Sequence, residues 1–290
     1  MKALRFLIES NIFIALAAVS LALATSAELR IPLQFHAYLM VIFLATLFDY
    51  NLHRFIEVSN EPEAAGSEKL RWSTENRALL KFLILSSATG LIISLFYIRK
   101  EILFVLAPMA VLSFFYSIRF PGQQKNAFRL FRIPGIKTFL IALVWSSATV
   151  VIPFLQSGYS SGFTPVMLIF SERFTFIFAI AIPFDIRDMK PDEQAGIRTI
   201  PVTFGEKRSM QVSNFAMFIS LSIAFIHYFS QNMPFVLIGY FVSIAFTLIF
   251  INSRKLKSYP LYYHGILDGS IILHGLFIFL GFLLINCLIL

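Results

Sequence analysis

The chain is 290 residues long, 58% hydrophobic and only 14% charged, with 34 Phe and a formal net charge of +8. A water-soluble domain carries about 25% charged residues to make its polar skin, so a soluble enzyme, a nucleic-acid-binding module and a disordered tail are excluded. No Arg/Lys run with interleaved aromatics offers a nucleic-acid groove, and the single Cys287 allows no intrachain disulfide. Composition predicts an integral membrane protein, and the length of its apolar runs an all-α one.

A membrane helix needs about 20 mostly apolar residues. In chain order, the charge-poor runs and the polar breaks between them predict nine transmembrane helices. They fall at approximately 8–27, 32–50, 79–98, 102–118, 137–155, 164–184, 209–229, 233–251 and 266–287. The first begins with Lys2 and Arg5 and ends in small residues, which imitates a secretory signal. Its apolar run is long for a signal, however, and a second span follows at once. Spans five and six divide at the polar segment 156–162, and spans seven and eight at 230–234, where Asn232 and Pro234 favour a reversal. Without a fixed-period repeat or a low-complexity linker, 1–290 reads as a single polytopic membrane domain.

Nine spans put the connections after the even-numbered helices on the side of the N-terminus. That side holds 19 Lys and Arg, including Arg54, Arg119, Lys125, Arg129, Arg132, Lys137, Arg187 and Arg198; the other holds three, Arg30, Arg99 and Lys100. Cytoplasmic loops hold the excess of cations in polytopic proteins. The expectation is a multi-pass membrane protein (of the plasma membrane, in a bacterium) with a cytoplasmic N-terminus.

Three of the five Asp fall within eight residues, Asp185, Asp188 and Asp192, where the sixth span leaves the membrane on the basic side. Spacings of three and four place them on one helical face, although Pro191 ends or bends the helix near Met189. Clustered carboxylates repel, and a hard cation such as Mg2+, which takes carboxylate oxygens, waters and substrate phosphates, removes that cost. A solvated acidic helix end, neutralised by Arg187 and Lys190, accounts for the spacing equally well.

The residues that follow, Asp192 to Gly205, resemble the second aspartate motif of the UbiA superfamily of intramembrane prenyltransferases. Asp188 and Asp192 match its two aspartates, Asp185 is an extra upstream carboxylate seen in many members, and Gly196, Arg198 and Thr199 match the tail. The resemblance implies a ring of nine helices around a central cavity, with aspartate motifs on the cytoplasmic loops after helices two and six. It also implies transfer of an isoprenyl group from a prenyl diphosphate to a lipid-soluble acceptor, with Mg2+ offsetting the charge of the leaving diphosphate. Asp185, Asp188 and Asp192 are then the catalytic and metal-binding set.

The first motif departs from the family pattern. Aligned on Arg54, the segment 49–57 has Asp49 at the family Asn, Tyr50 and His53 at the first two aspartates, and Glu57 at the last. A neutral Tyr cannot replace a hard oxygen anion, and His suits softer metals. A second metal site would therefore rest on Asp49 and Glu57, with Asn51 beside the diphosphate; alternatively, Asp49 and Asn51 only cap the second helix. Arg54, Arg198 and Lys137 are the candidate diphosphate cations, Arg as a bidentate fork and Lys as a point charge. Glu172 and Arg173 lie inside the sixth span and point about 100° apart, so each is expected to find its partner on another helix. Two other readings stay open: a non-catalytic or altered-chemistry protein of the same fold that binds an isoprenoid, and a small-solute transporter.

Overall fold

The computed structural model describes residues 2–32, 36–60, 68–117, 133–158 and 162–289, and among these all regular structure is helical. The helices are α1 (Lys2–Glu9), α2 (Ile12–Glu28), α3 (Ala37–Asn60), α4 (Glu68–Glu75), α5 (Arg77–Leu95), α6 (Lys100–Ser117), α7 (Ile136–Ser146), α8 (Ile152–Gln156), α9 (Phe163–Arg187), α10 (Met189–Gln194), α11 (Ile200–Phe204), α12 (Glu206–Ser230), α13 (Pro234–Asn252), α14 (Arg254–Lys257) and α15 (Asp268–Ile289). Two π-helical turns, Ser147–Val151 and Tyr262–Leu267, join α7 to α8 and lead into α15. Among the described residues, seven helices are long and apolar enough to cross a membrane, and α1 with α2 makes an eighth candidate bent by 78°. The fourth expected span, 102–118, coincides with α6, its last residue lying outside the described residues. The basic loop with Arg119, Lys125, Arg129 and Arg132 also lies outside them.

The first span differs from expectation. It begins at Ile12, not residue 8, because the chain turns at Asn11, which takes the left-handed conformation at φ 62°, one that Asn tolerates better than most residues. Ahead of the turn, α1 sets Arg5 against Glu9 at 2.8 Å and leaves Leu4 and Phe6 exposed, the pattern of a helix lying in a membrane interface. Phe6 meets Trp72 of α4 edge-on, ring centroids 6.5 Å apart. A second difference concerns the first motif, expected in a loop after residue 50. Positions 49–57 are helical, because no Gly or Pro stops α3 before Asn60.

Small residues let α2 pack closely: Ala15, Ala17, Ala18, Ala22, Ala24 and Ala27 are all buried, allowing close backbone approach without a water-driven core. One apolar cluster joins α2 to α9, α12, α13 and α15; a second joins it to α3, α8 and the N-terminal part of α9. Phe82, Phe96, Phe104, Phe215, Phe218 and Phe229 instead face outward, which in a multi-pass membrane protein means toward lipid.

Candidate functional site

The acidic segment is shaped by its own backbone. Helix α9 stops at Arg187 and α10 starts at Met189, so Asp188 sits at the break with φ −93° and ψ 11°. Pro191, lacking an N–H, fits the first turn of a new helix but not the interior of an old one. Gly196 ends α10 at φ +71°, the left-handed cap position where a side chain is costly. Thr199 then caps α11, its hydroxyl accepting from the Val202 amide at 3.4 Å. Two residues of the motif tail are thus explained by chain geometry.

Lys137 reaches this segment from α7. Ahead of it, the Gly135 amide donates to the Arg198 carbonyl at 3.1 Å. A Cβ on Gly135 would stand 2.9 Å from Ile200, and its φ is +78°, so only glycine lets the two segments approach. The Lys137 ammonium, nearly buried, lies 2.8 Å from Asp192 Oδ2 and 3.2 Å from Asp185 Oδ1. Thr138 donates to Asp185 Oδ2 at 2.5 Å. One cation therefore bridges two of the three aspartates.

Asp188 is held by a different cation. Arg187 grips it with two hydrogen bonds, Nε to Oδ1 at 2.7 Å and Nη2 to Oδ2 at 2.8 Å. The same guanidinium lies over the rings of Phe184 and Tyr263 at 5.4 and 5.0 Å, and His264 Nε2 is 3.3 Å from its Nη1. The two environments drive the carboxyls apart. For Asp188, burial opposes ionisation, but hydrogen bonds and charge from Arg187 outweigh it and hold the carboxyl below its ordinary value. For Asp192, burial prevails over Lys137, and Asp185 and Asp188 add repulsion, so the carboxyl is pushed up.

The expected residues of the first motif are dispersed along α3. Arg54 feels the charges of Arg187 and Asp188 as well as that of Glu57, which brings α3 into the field of the second motif. Glu57 is exposed and 3.3 Å from Arg54. Asp49 accepts from the Ser113 hydroxyl of α6 and lies 3.5 Å from His53 Nε2. Asn51 is occupied elsewhere: its oxygen accepts from Asn11 at 3.2 Å, and its amide donates to Ser10 and Leu47 carbonyls at 3.1 and 2.8 Å. Fully buried at the α1–α2 turn, it has no spare group for a diphosphate. Arg198 is exposed; only its backbone carbonyl reaches toward α7. The sequence presents Arg187 only as a neutralising charge, His264 as an isolated residue with no ligand role, and Thr138 not at all. The i,i+4 spacing of His264 and Asp268, 3.7 Å apart in the structure, was the available signal for His264.

Among the described residues, no group of three His, Cys, Asp or Glu converges in a way that would hold a metal ion by itself. The donor set nevertheless suits a hard cation: it is all carboxylate oxygen, and a cation, the Lys137 ammonium, already sits between two of its members. Mg2+ commonly takes only one or two carboxylates and completes its shell with substrate phosphates and water.

The family model described as the UbiA prenyltransferase family matches residues 71–260. No curated protein sequence matches the chain. Solved structures similar to it include a UbiA homolog from Archaeoglobus fulgidus bound to GPP and Mg2+, 14% identical with TM-score 0.61, covering 96% of this chain and 99% of that one. The apo UbiA homolog from Aeropyrum pernix K1 is 12% identical with TM-score 0.61, over 94% of this chain and 98% of that one. A digeranylgeranylglyceryl phosphate synthase is 15% identical with TM-score 0.57, over 98% of each chain. At these identities the likeness shows a common fold.

Proposed function

Because the chain belongs to the UbiA prenyltransferase family, we propose that it moves an isoprenyl group from a prenyl diphosphate to a lipid-soluble acceptor, with Mg2+. The observation that carries this reading is the buried arrangement of Asp185, Asp192 and Lys137 beside the Arg187–Asp188 pair. It concentrates anions and cations at a helix end bordering an apolar bundle, where charge interactions are strong. Asp188 and Asp192, with Asp185 behind them, are the residues proposed to hold Mg2+. Bound there, the ion would supply positive charge against the diphosphate as the allylic C–O bond ionises.

The protein groups have separate tasks. Lys137 keeps Asp185 and Asp192 from repelling each other and presents an ammonium to the diphosphate. Arg54, close enough to sense Asp188, and Arg198 supply further cations. Thr138 fixes the Asp185 carboxylate. Asp49 and Glu57 are the remaining oxygens of a second, weaker metal position, whereas Asn51 is left to its structural role. The 19-to-3 distribution of Lys and Arg supports a cytoplasmic placement of the N-terminus and of these residues.

Tyr50 and His53, standing where the family pattern has aspartates, favour a second reading: an isoprenoid-binding protein of this fold with altered or no transfer chemistry. Purified protein supplied with Mg2+ and labelled prenyl diphosphates separates the two. Transferase action releases diphosphate, and Asp192→Ala lowers that release about 10²-fold, the scale of losing a group that stabilises developing charge. Absence of release from the intact protein at every chain length overturns the first reading.

A further inference from the structure

A second buried polar cluster lies in the opposite half of the bundle. Glu172 and Arg173 precede Asp185 by about thirteen residues on α9, roughly 20 Å along the axis, and both are completely buried. Their partners are on other helices. Arg173 Nη2 lies 3.2 Å from Glu28 Oε2 of α2 and 3.4 Å from Oε1, and its Nη1 donates to the Leu21 carbonyl at 3.0 Å. The Tyr228 hydroxyl oxygen of α12 stands 2.5 Å from Glu28 Oε1 and 2.7 Å from Glu172 Oε1. Tyr240 of α13, hydrogen-bonded to Ser220 at 2.6 Å, and His274 of α15, stacked on Phe176 at 3.8 Å, close the site; His227 packs against Tyr228.

A hydroxyl carries one proton and so donates to one acceptor. With both carboxylates ionised, one anionic oxygen would face the Tyr228 oxygen with no hydrogen between them. Charge leads to the same conclusion. One guanidinium faces two carboxyls, and the imidazoles add nothing, because His274 Nε2 and His227 Nδ1 meet no acceptor, as a charged ring would require. Nor does any donor reach Glu172 Oε2, a burial that an uncharged acid oxygen tolerates far better than an anion.

We infer that Glu28, Tyr228 and Glu172 form a binding site for a single proton inside the membrane. Glu172 holds it and donates to the Tyr228 oxygen; the Tyr228 O–H turns to the Glu28 carboxylate; Arg173 neutralises that carboxylate. The cluster is then uncharged, and it ties α2, α9 and α12 together away from the aspartates. The inference does not depend on the diphosphate reading.

Infrared difference spectroscopy of the purified protein at pH 7 tests it. Wild type minus Glu172→Gln shows a protonated-acid carbonyl band, and the variant melts close to wild type, since its amide N–H replaces the acid donor. Glu28→Gln, which strands Arg173, melts far lower. Tyr228→Phe, retaining the ring, moves the acid band to higher frequency by removing its acceptor. A difference spectrum that shows only carboxylate bands, or a band unmoved by Tyr228→Phe, overturns the inference.

Discussion

At the scale of single residues, Lys137 is the group on which the most depends. It is in direct contact with both Asp185 and Asp192, so Lys137→Ala takes the shared cation from two buried carboxyls. Removing one partner of such a set costs about 3 kcal/mol or more, and thermal unfolding in detergent shows it as a lower midpoint. The aspartates also predict a pH dependence. The raised Asp192 carboxyl keeps its proton in the folded state where the unfolded chain has lost it, so its contribution is complete below the ordinary value of 3.8 and lost as pH rises through the raised value. Asp188 has the opposite sign: its contribution is present above 3.8 and lost as pH falls through its lowered value. Asp192→Asn therefore flattens the fall in melting temperature above pH 3.8 and leaves the acid-side loss in place. The motif spacing made Asp185, Asp188 and Asp192 legible in the sequence. It could not tell that Asp188 pairs with its neighbour Arg187, because that follows from a helix break of one residue.

At the scale of elements, two close contacts make separate predictions. Asn51→Ala removes the amide that ties α3 to the α1–α2 turn and with it one buried hydrogen bond each of Asn11 and Ser10, at a cost of about 1–3 kcal/mol. Binding of a prenyl diphosphate analogue to this variant stays within twofold of wild type; a large loss of binding with unchanged melting would return Asn51 to the site. Gly275 packs α15 on α2 so closely that an added Cβ would lie 2.6 Å from the Ser20 backbone. Gly275→Ala pushes the helices apart and lowers stability by about 1–3 kcal/mol, read as a lower unfolding midpoint. Hydropathy located the helices because lipid demands long apolar runs. It could not place the Asn11 turn, where a polar residue in a left-handed conformation separates a short amphipathic helix from the span. Nor could it foresee that α3 extends through the first motif, since a charged helical turn and a polar loop have similar composition.

At the scale of the whole molecule, charge and fold point the same way. The basic side predicted from Lys and Arg contains the aspartate segment, Lys137 and Arg54, while the neutral cluster of Glu28, Arg173, Glu172 and Tyr228 occupies the other half of the bundle. Arg173 and Glu28 pair across 145 residues of sequence, beyond the reach of any local pattern, though the 100° offset of Glu172 and Arg173 already leads one to expect partners on other helices. Everything in the proposed activity rests on the acidic end of α9 holding a divalent ion against a diphosphate. Titration of the purified protein with a non-hydrolysable prenyl diphosphate analogue, with and without Mg2+, decides this. Saturable binding that requires Mg2+ and is lost in both Asp188→Ala and Asp192→Ala is the expected result; equal binding by wild type and either variant, or binding indifferent to Mg2+, would refute it.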